Sequence, residues 1–131
     1  MDIKKSGFNT KLIHAGEIDD QFGSATVPIY QTSTFSFKNA EEGAKCFAGE
    51  SDGYIYTRIA NPTIDALERQ IAILENGFGA IAVSSGMAAA STIYLSLLSS
   101  GDHIISTDAI YGPAQCNGKT IYSIWFSINL Y

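Results

Sequence analysis

An α/β fold, the opening portion of a mostly parallel sheet layered with helices, is what this sequence predicts, and three observations carry the prediction. A helical stripe begins at Asn61-Pro62, a short continuous apolar run follows at Ala80–Val83, and after an Ala- and Leu-rich stretch a second such run occupies His103–Thr107. Helix, strand, helix, strand in that order is the pattern of helices packed on a mostly parallel sheet.

Residues 1–60 carry only weak periodicity. Val27–Phe37 mixes Thr, Ser, Tyr and Phe, while Gly16, Gly23, Pro28 and Gly53 punctuate the stretch. It reads as an extended arm with one short helix near Ala40–Phe47, and such an arm usually wraps a neighbouring subunit rather than folding alone. The main domain is expected to start at 61 and to run to 115. Asn61 is a good N-cap and Pro62 suits the first helical position, where its missing N–H costs nothing. Ile64, Leu67, Ile71 and Leu74 then recur at helical spacing. Asp65 and Glu68 lie near the positive end of that helix, and Gly77 offers a stop. Ala80–Val83, bounded by Gly79 and Ser84, suits a strand buried on both faces. Ala88–Leu98 is long and apolar enough for a buried helix, and Gly101-Asp102 turns the chain into His103–Thr107, a second strand.

Residues 116–131 differ in character. Ile121–Tyr131 is uncharged and mostly large and apolar, the composition of an aggregation-prone segment. It does not read as a continuation of what precedes it, and an out-of-frame extension from about Cys116 or Asn117 is the expectation.

The bulk properties exclude several function classes. With 131 residues, 46% hydrophobic and 16% charged, the chain has the composition of one globular domain. Its net charge of −5 comes from scattered acids, which argues against a nucleic-acid or membrane-surface footprint. The N-terminus lacks a signal-peptide core, and no run approaches the ~18 apolar residues of a membrane span. Cys46 and Cys116 fit no CxxC or metal spacing, so two reduced thiols in a cytoplasmic protein are expected. His14 and His103 are expected to be structural.

Three places carry chemistry. In Ser84-Ser85-Gly86-Met87 a glycine between strand and helix lets backbone N–H groups face an anion at the helix N-terminus. A tight turn of small residues is the plain alternative. Tyr56-Thr57-Arg58 combines a planar donor fork matched to phosphate with a phenol that can complete the grip, although a lone Arg is more often a solvated surface residue. Tyr111-Gly112 follows the second strand, at the strand ends where α/β folds place ligands. A tyrosine there can stack on an aromatic group and move a proton, or simply be structural.

Taken together and in order, Gly53-Tyr-Ile-Tyr-Thr-Arg-Ile-Ala-Asn-Pro-Thr63, Ser84-Ser-Gly-Met-Ala88, Gly101-Asp-His-Ile104 and Tyr111-Gly112 resemble the Cys/Met metabolism family of pyridoxal-phosphate enzymes. That family includes methionine γ-lyases, cystathionine γ-synthases, cystathionine lyases and O-acetylhomoserine sulfhydrylases. The resemblance covers about residues 8–115, and Ala44–Glu50 is most similar to the methionine γ-lyase branch. It implies the N-terminal portion of a fold-type I transferase with pyridoxal 5'-phosphate as cofactor. Gly86 and Met87 would offer N–H groups to the cofactor phosphate. Tyr56 and Arg58 would reach that phosphate from a neighbouring subunit, and Tyr111 would stack over the pyridine ring and assist proton movement. The substrate would be a sulfur amino acid, and the assembly a homotetramer built as a dimer of dimers.

Two departures qualify this. The Schiff-base lysine and the aspartate paired with the pyridine nitrogen belong far downstream of Tyr111. None of Lys4, Lys5, Lys11, Lys38, Lys45 and Lys119 occupies the lysine's place, so the chain by itself is expected to be inactive. Pro113 stands where similar methionine γ-lyases carry a cysteine, which leaves γ-replacement as open as γ-elimination. An incomplete sheet with open edges also predicts poor solubility. A different class of role is a non-catalytic fragment that joins full-length homologous subunits. A third, a nucleotide-binding α/β domain, lacks a GxGxxG or P-loop lysine motif.

Overall fold

Asn61 and Pro62 start the longest helix as their chemistry dictates. In the computed structural model, which describes residues 2–107, 109–114 and, as backbone, 127–130, this helix spans Pro62–Leu74. Among the described residues the named helices are α1 Phe8–His14, α2 Ala40–Ala48, α3 Pro62–Leu74 and α4 Gly86–Leu97, followed by strands β1 His103–Ser106 and β2 Ser127–Leu130. The chain divides into two units, Met1–Ala82 and Val83–Tyr131.

In the first unit α1 and α3 pack on each other through small residues. Ala15 and Ala66 are 3% and 2% exposed, and a Cβ on Gly16 would stand 2.9 Å from the Ala66 carbonyl oxygen. Gln70 Nε2 donates to the Leu12 carbonyl, and Arg69 Nη1 to the Glu17 carbonyl at 3.1 Å, so α3 caps the carbonyl end of α1. The arm therefore holds a helix at Phe8–His14 that its weak periodicity did not announce. Helix α2 lies where its sequence predicts it. Asn39 Oδ1 accepts from the Glu42 N–H at 2.8 Å, Glu42 accepts from the Lys38 N–H at 2.9 Å, and Gly49 ends the helix in the left-handed region.

Helix α3 ends at Leu74, three residues before the predicted stop at Gly77. Asn76 takes the positive φ of 52°, and the Gly77 N–H closes on the Ala72 carbonyl at 2.8 Å. Its predicted apolar stripe stays largely uncovered, with Leu67 51% and Ile71 44% exposed, because α1 docks against Ala66 and Gln70 instead. The expected strand at Ala80–Val83 is not a strand. A strand exists only with a ladder partner, none of the described residues supplies one, and the Ala82 N–H donates to the Glu68 carboxylate at 2.6 Å.

In the second unit α4 covers the predicted Ala88–Leu98 helix, starting two residues earlier at Gly86. Residues 76–101 contain no charged side chain, and α4 is apolar all round yet exposes Ile93, Leu95 and Leu97. A helix of this kind belongs inside a larger body. Asp102 receives the Ser99 N–H at 2.7 Å and turns the chain into β1, which lies where predicted. β1 and β2 run parallel with His103 opposite Ser127 and Ser106 opposite Leu130. Part of the apolar tail thus forms a ladder partner for β1, while Cys116, Lys119 and the rest of 115–126 fall outside the described residues. No helix among the described residues is long and apolar enough to cross a membrane.

Candidate functional site

Tyr56-Thr57-Arg58 lies on a stretch of arm pinned by backbone bonds on both sides. The Phe35 N–H donates to the Ile55 carbonyl at 3.1 Å and the Thr57 N–H to the Ser33 carbonyl at 2.9 Å, which sets Thr34 and Tyr56 opposite each other as an antiparallel bridge. Just beyond, the N–H groups of Ile59 and Ala60 both donate to the Tyr56 carbonyl, at 2.8 and 3.1 Å, and bend the chain into α3. Across this turn Tyr56 and Arg58 both line an open groove with Phe35, Phe37, Phe47 and Ile55. The Arg58 guanidinium carbon stands 5.6 Å from the centre of the Tyr56 ring, within cation–π range. Arg58 is exposed and takes part in none of the ion pairs among the described residues, so its donor fork is open to an anion.

Thr57 faces the other way and is half-buried. Its hydroxyl donates to the Thr32 carbonyl and accepts from Asn61 Nδ2 at 3.0 Å. Asn61, 2% exposed, has the only fully buried large side chain among the described residues. Its second amide hydrogen goes to the Tyr30 carbonyl at 2.9 Å, and its Oδ1 accepts the Thr63 N–H at 2.9 Å as the N-cap of α3. Thr63 in turn donates its hydroxyl to the Pro28 carbonyl at 2.7 Å and accepts the Tyr30 N–H at 2.9 Å. Sequence reasoning assigned Asn61 only the cap. Its spacing of four residues after Thr57, ahead of Pro62-Thr63, was the available signal for more.

Tyr54 anchors the start of the same stretch. Its phenol donates to Asp65 Oδ2 at 2.7 Å and its ring lies 5.3 Å from that of Phe35. Burial, the hydrogen bond to Asp65 and the charge on that carboxylate push its ionisation up to about 12. Tyr54 is therefore a neutral anchor across the ordinary pH range.

The second unit holds the turn at Ser84–Met87. Ser85 caps α4, its Oγ accepting the Ala88 N–H at 3.0 Å and its carbonyl the Ala89 N–H at 3.0 Å. The N–H groups of Gly86 and Met87 find no acceptor among the described residues, Gly86 is exposed, and a Cβ there would meet nothing within 4 Å. No acidic side chain occupies the first turn. Two free donors at the positive end of a helix, with no carboxylate beside them, suit an anion. Tyr111 is 69% exposed, and its carbonyl accepts the Ala114 N–H at 2.9 Å in a helical turn over 112–114 that accommodates Pro113. The structure thus brings Tyr56 and Arg58 together in one unit and carries Gly86, Met87 and Tyr111 on the other.

The family model for Cys/Met metabolism PLP-dependent enzymes matches residues 9–126. An L-methionine gamma-lyase of Fusobacterium nucleatum subsp. nucleatum is 50% identical over 112 residues, 86% of this chain and 28% of that protein. An O-acetyl-L-homoserine sulfhydrylase of Corynebacterium glutamicum is 46% identical over 110 residues, 83% of this chain and 25% of that protein. Among solved structures, metB of Corynebacterium glutamicum superposes with a TM-score of 0.87 at 37% identity, covering 100% of this chain and 33% of its own. An O-acetylhomoserine (thiol)-lyase of Campylobacter jejuni, which carries a pyridoxyl-lysine phosphate, superposes equally well at 0.87 with 32% identity, over 97% of this chain and 32% of its own. The chain spans between a quarter and a third of the length of these relatives.

Proposed function

The chain belongs to the Cys/Met metabolism PLP-dependent enzyme family, and from that membership we propose that it forms the phosphate-binding N-terminal part of an enzyme of sulfur amino-acid metabolism. The reaction is γ-elimination or γ-replacement, of the methionine γ-lyase, cystathionine γ-synthase or cystathionine lyase type. The observation that carries the reading is the pair of open donor sets, Arg58 beside Tyr56 and the free N–H groups of Gly86 and Met87. Both suit a phosphate, and both fall within the family match. When bound, pyridoxal 5'-phosphate supplies the electron sink for carbanion chemistry on an amino acid.

Each residue has a role of its own. The backbone N–H groups of Gly86 and Met87 hold the phosphate at the α4 N-terminus. Arg58, with the Tyr56 hydroxyl, adds charge-assisted hydrogen bonds from a neighbouring subunit. Tyr111 stacks on the cofactor ring, and its phenol holds and passes a proton at the substrate. The assembly is a homo-oligomer, a dimer of dimers, acting in the cytoplasm on a sulfur amino acid. The lysine that carries the cofactor comes from the region that follows this part in the relatives, so the 131-residue chain alone does not turn over substrate. A second reading, association with full-length homologous subunits, is favoured by the exposure of Tyr56 and Arg58.

Incubation with pyridoxal 5'-phosphate, borohydride reduction and peptide mapping test the catalytic part of this reading. The expected result is no stoichiometric label on any one of the six lysines and no carbon–sulfur bond cleavage. Stoichiometric labelling of Lys119 together with turnover would overturn it.

A further inference from the structure

A buried carboxamide that spends every hydrogen-bonding group on a different segment is an expensive way to cap a helix, because serine or aspartate caps as well. Asn61 uses one amide hydrogen on the Tyr30 carbonyl, the other on Thr57 Oγ1, and its oxygen on the Thr63 N–H. Only the last of these is capping. The Thr57 bond reaches the residue between Tyr56 and Arg58, and Thr57 passes the connection on to the Thr32 carbonyl. Thr57 opens the turn over 57–59 that the Ile59 and Ala60 N–H groups close on the Tyr56 carbonyl. Holding the Thr57 hydroxyl on the Thr32 carbonyl and Asn61 therefore fixes that turn, from which Tyr56 and Arg58 both line the groove.

We propose that Asn61, acting through Thr57, is the positioning residue of the Tyr56–Arg58 anion-binding pair. The proposal rests on the reading that Arg58 takes a phosphate, and it adds how that side chain is aimed. Rigid support behind a binding side chain limits the conformational freedom lost when an anion is gripped. A buried polar network also keeps one arrangement, because an unpaired amide or hydroxyl at that position is costly.

Arginine-selective modification of the full chain by phenylglyoxal, read by peptide mass spectrometry, tests this. The two arginines fall in different surroundings, so Arg69 serves as internal control for Arg58. Inorganic pyrophosphate is the probe, against sodium chloride at matched ionic strength. Asn61→Asp keeps the capping oxygen and removes both amide donors, Thr57→Val removes only the hydroxyl, and Thr57→Ser restores it. The expected result is several-fold protection of Arg58, but not of Arg69, in the wild-type chain. Protection should vanish in Asn61→Asp and Thr57→Val and return in Thr57→Ser, with the helical circular dichroism unchanged throughout. Equal protection in wild type and Thr57→Val would overturn the positioning role and leave the phosphate reading standing. Absence of protection in the wild type would overturn both. Loss of helical signal in both Asn61→Asp and Thr57→Val would reduce Asn61 to a structural residue and also overturn the proposal.

Discussion

Tyr54 and Asn61 stand seven positions apart in one stretch, and both serve it by being satisfied rather than by reacting. The Tyr54 phenol donates to Asp65 at 2.7 Å and ionises only at about 12. The unfolded chain loses this proton near its usual value of ~10. Because the folded form retains a proton the unfolded form gives up, the stabilisation is whole below the unfolded value and is lost as pH rises from there through the folded one. Tyrosinate absorbance should show one late-ionising tyrosine that disappears in Tyr54→Phe, and that variant should lose about 1–2 kcal/mol at neutral pH. A wild-type titration identical to that of Tyr54→Phe would contradict the assignment. Tyr111, 69% exposed, has no such anchor among the described residues.

The packing of α1 on α3 depends on a close approach that only a residue without a side chain permits. At Gly16 an added Cβ would press on the Ala66 carbonyl oxygen, which is backbone and cannot swing aside. Gly16→Ala should cost roughly 1–3 kcal/mol of local stability. Hydrogen exchange of residues 8–14 should quicken by about tenfold for each ~1.4 kcal/mol, and an unchanged exchange rate would refute this packing account. Elements that carry their own signals were legible in the sequence: the Asn61 cap, the Pro62 start, the Ala-rich α4 and the apolar β1. Helix α1 was not, because its identity comes from α3 receiving it rather than from its own pattern. Ala80–Val83 has the composition of a strand and finds no ladder partner among the described residues, so composition alone could not settle it. Tyr56, Arg58, Gly86 and Met87 stand out in the sequence as candidate anion donors, whereas the hydrogen bonds that Asn61 makes to Tyr30 and Thr57 depend on tertiary proximity that no local pattern encodes.

At the scale of the whole molecule, the chain has the surface of something larger. An uncharged stretch from 76 to 101, an α4 apolar on every side and a two-stranded parallel sheet are all features that other layers normally cover. The coverage of only a quarter to a third of each relative agrees with that. The relatives bring the rest of the fold, while this chain brings two sets of open anion donors. The most direct test of that central claim is a 31P titration of pyridoxine 5'-phosphate, which lacks the aldehyde and so forms no link to surface lysines. The wild-type chain should shift and broaden the phosphorus line. Arg58→Ala, and Met87→Pro with one backbone donor removed, should each weaken binding by about tenfold or more, since a hydrogen bond to a charged group contributes roughly 1.5–3 kcal/mol. A phosphorus line that the wild type leaves unmoved, or that both variants move as the wild type does, would contradict the account.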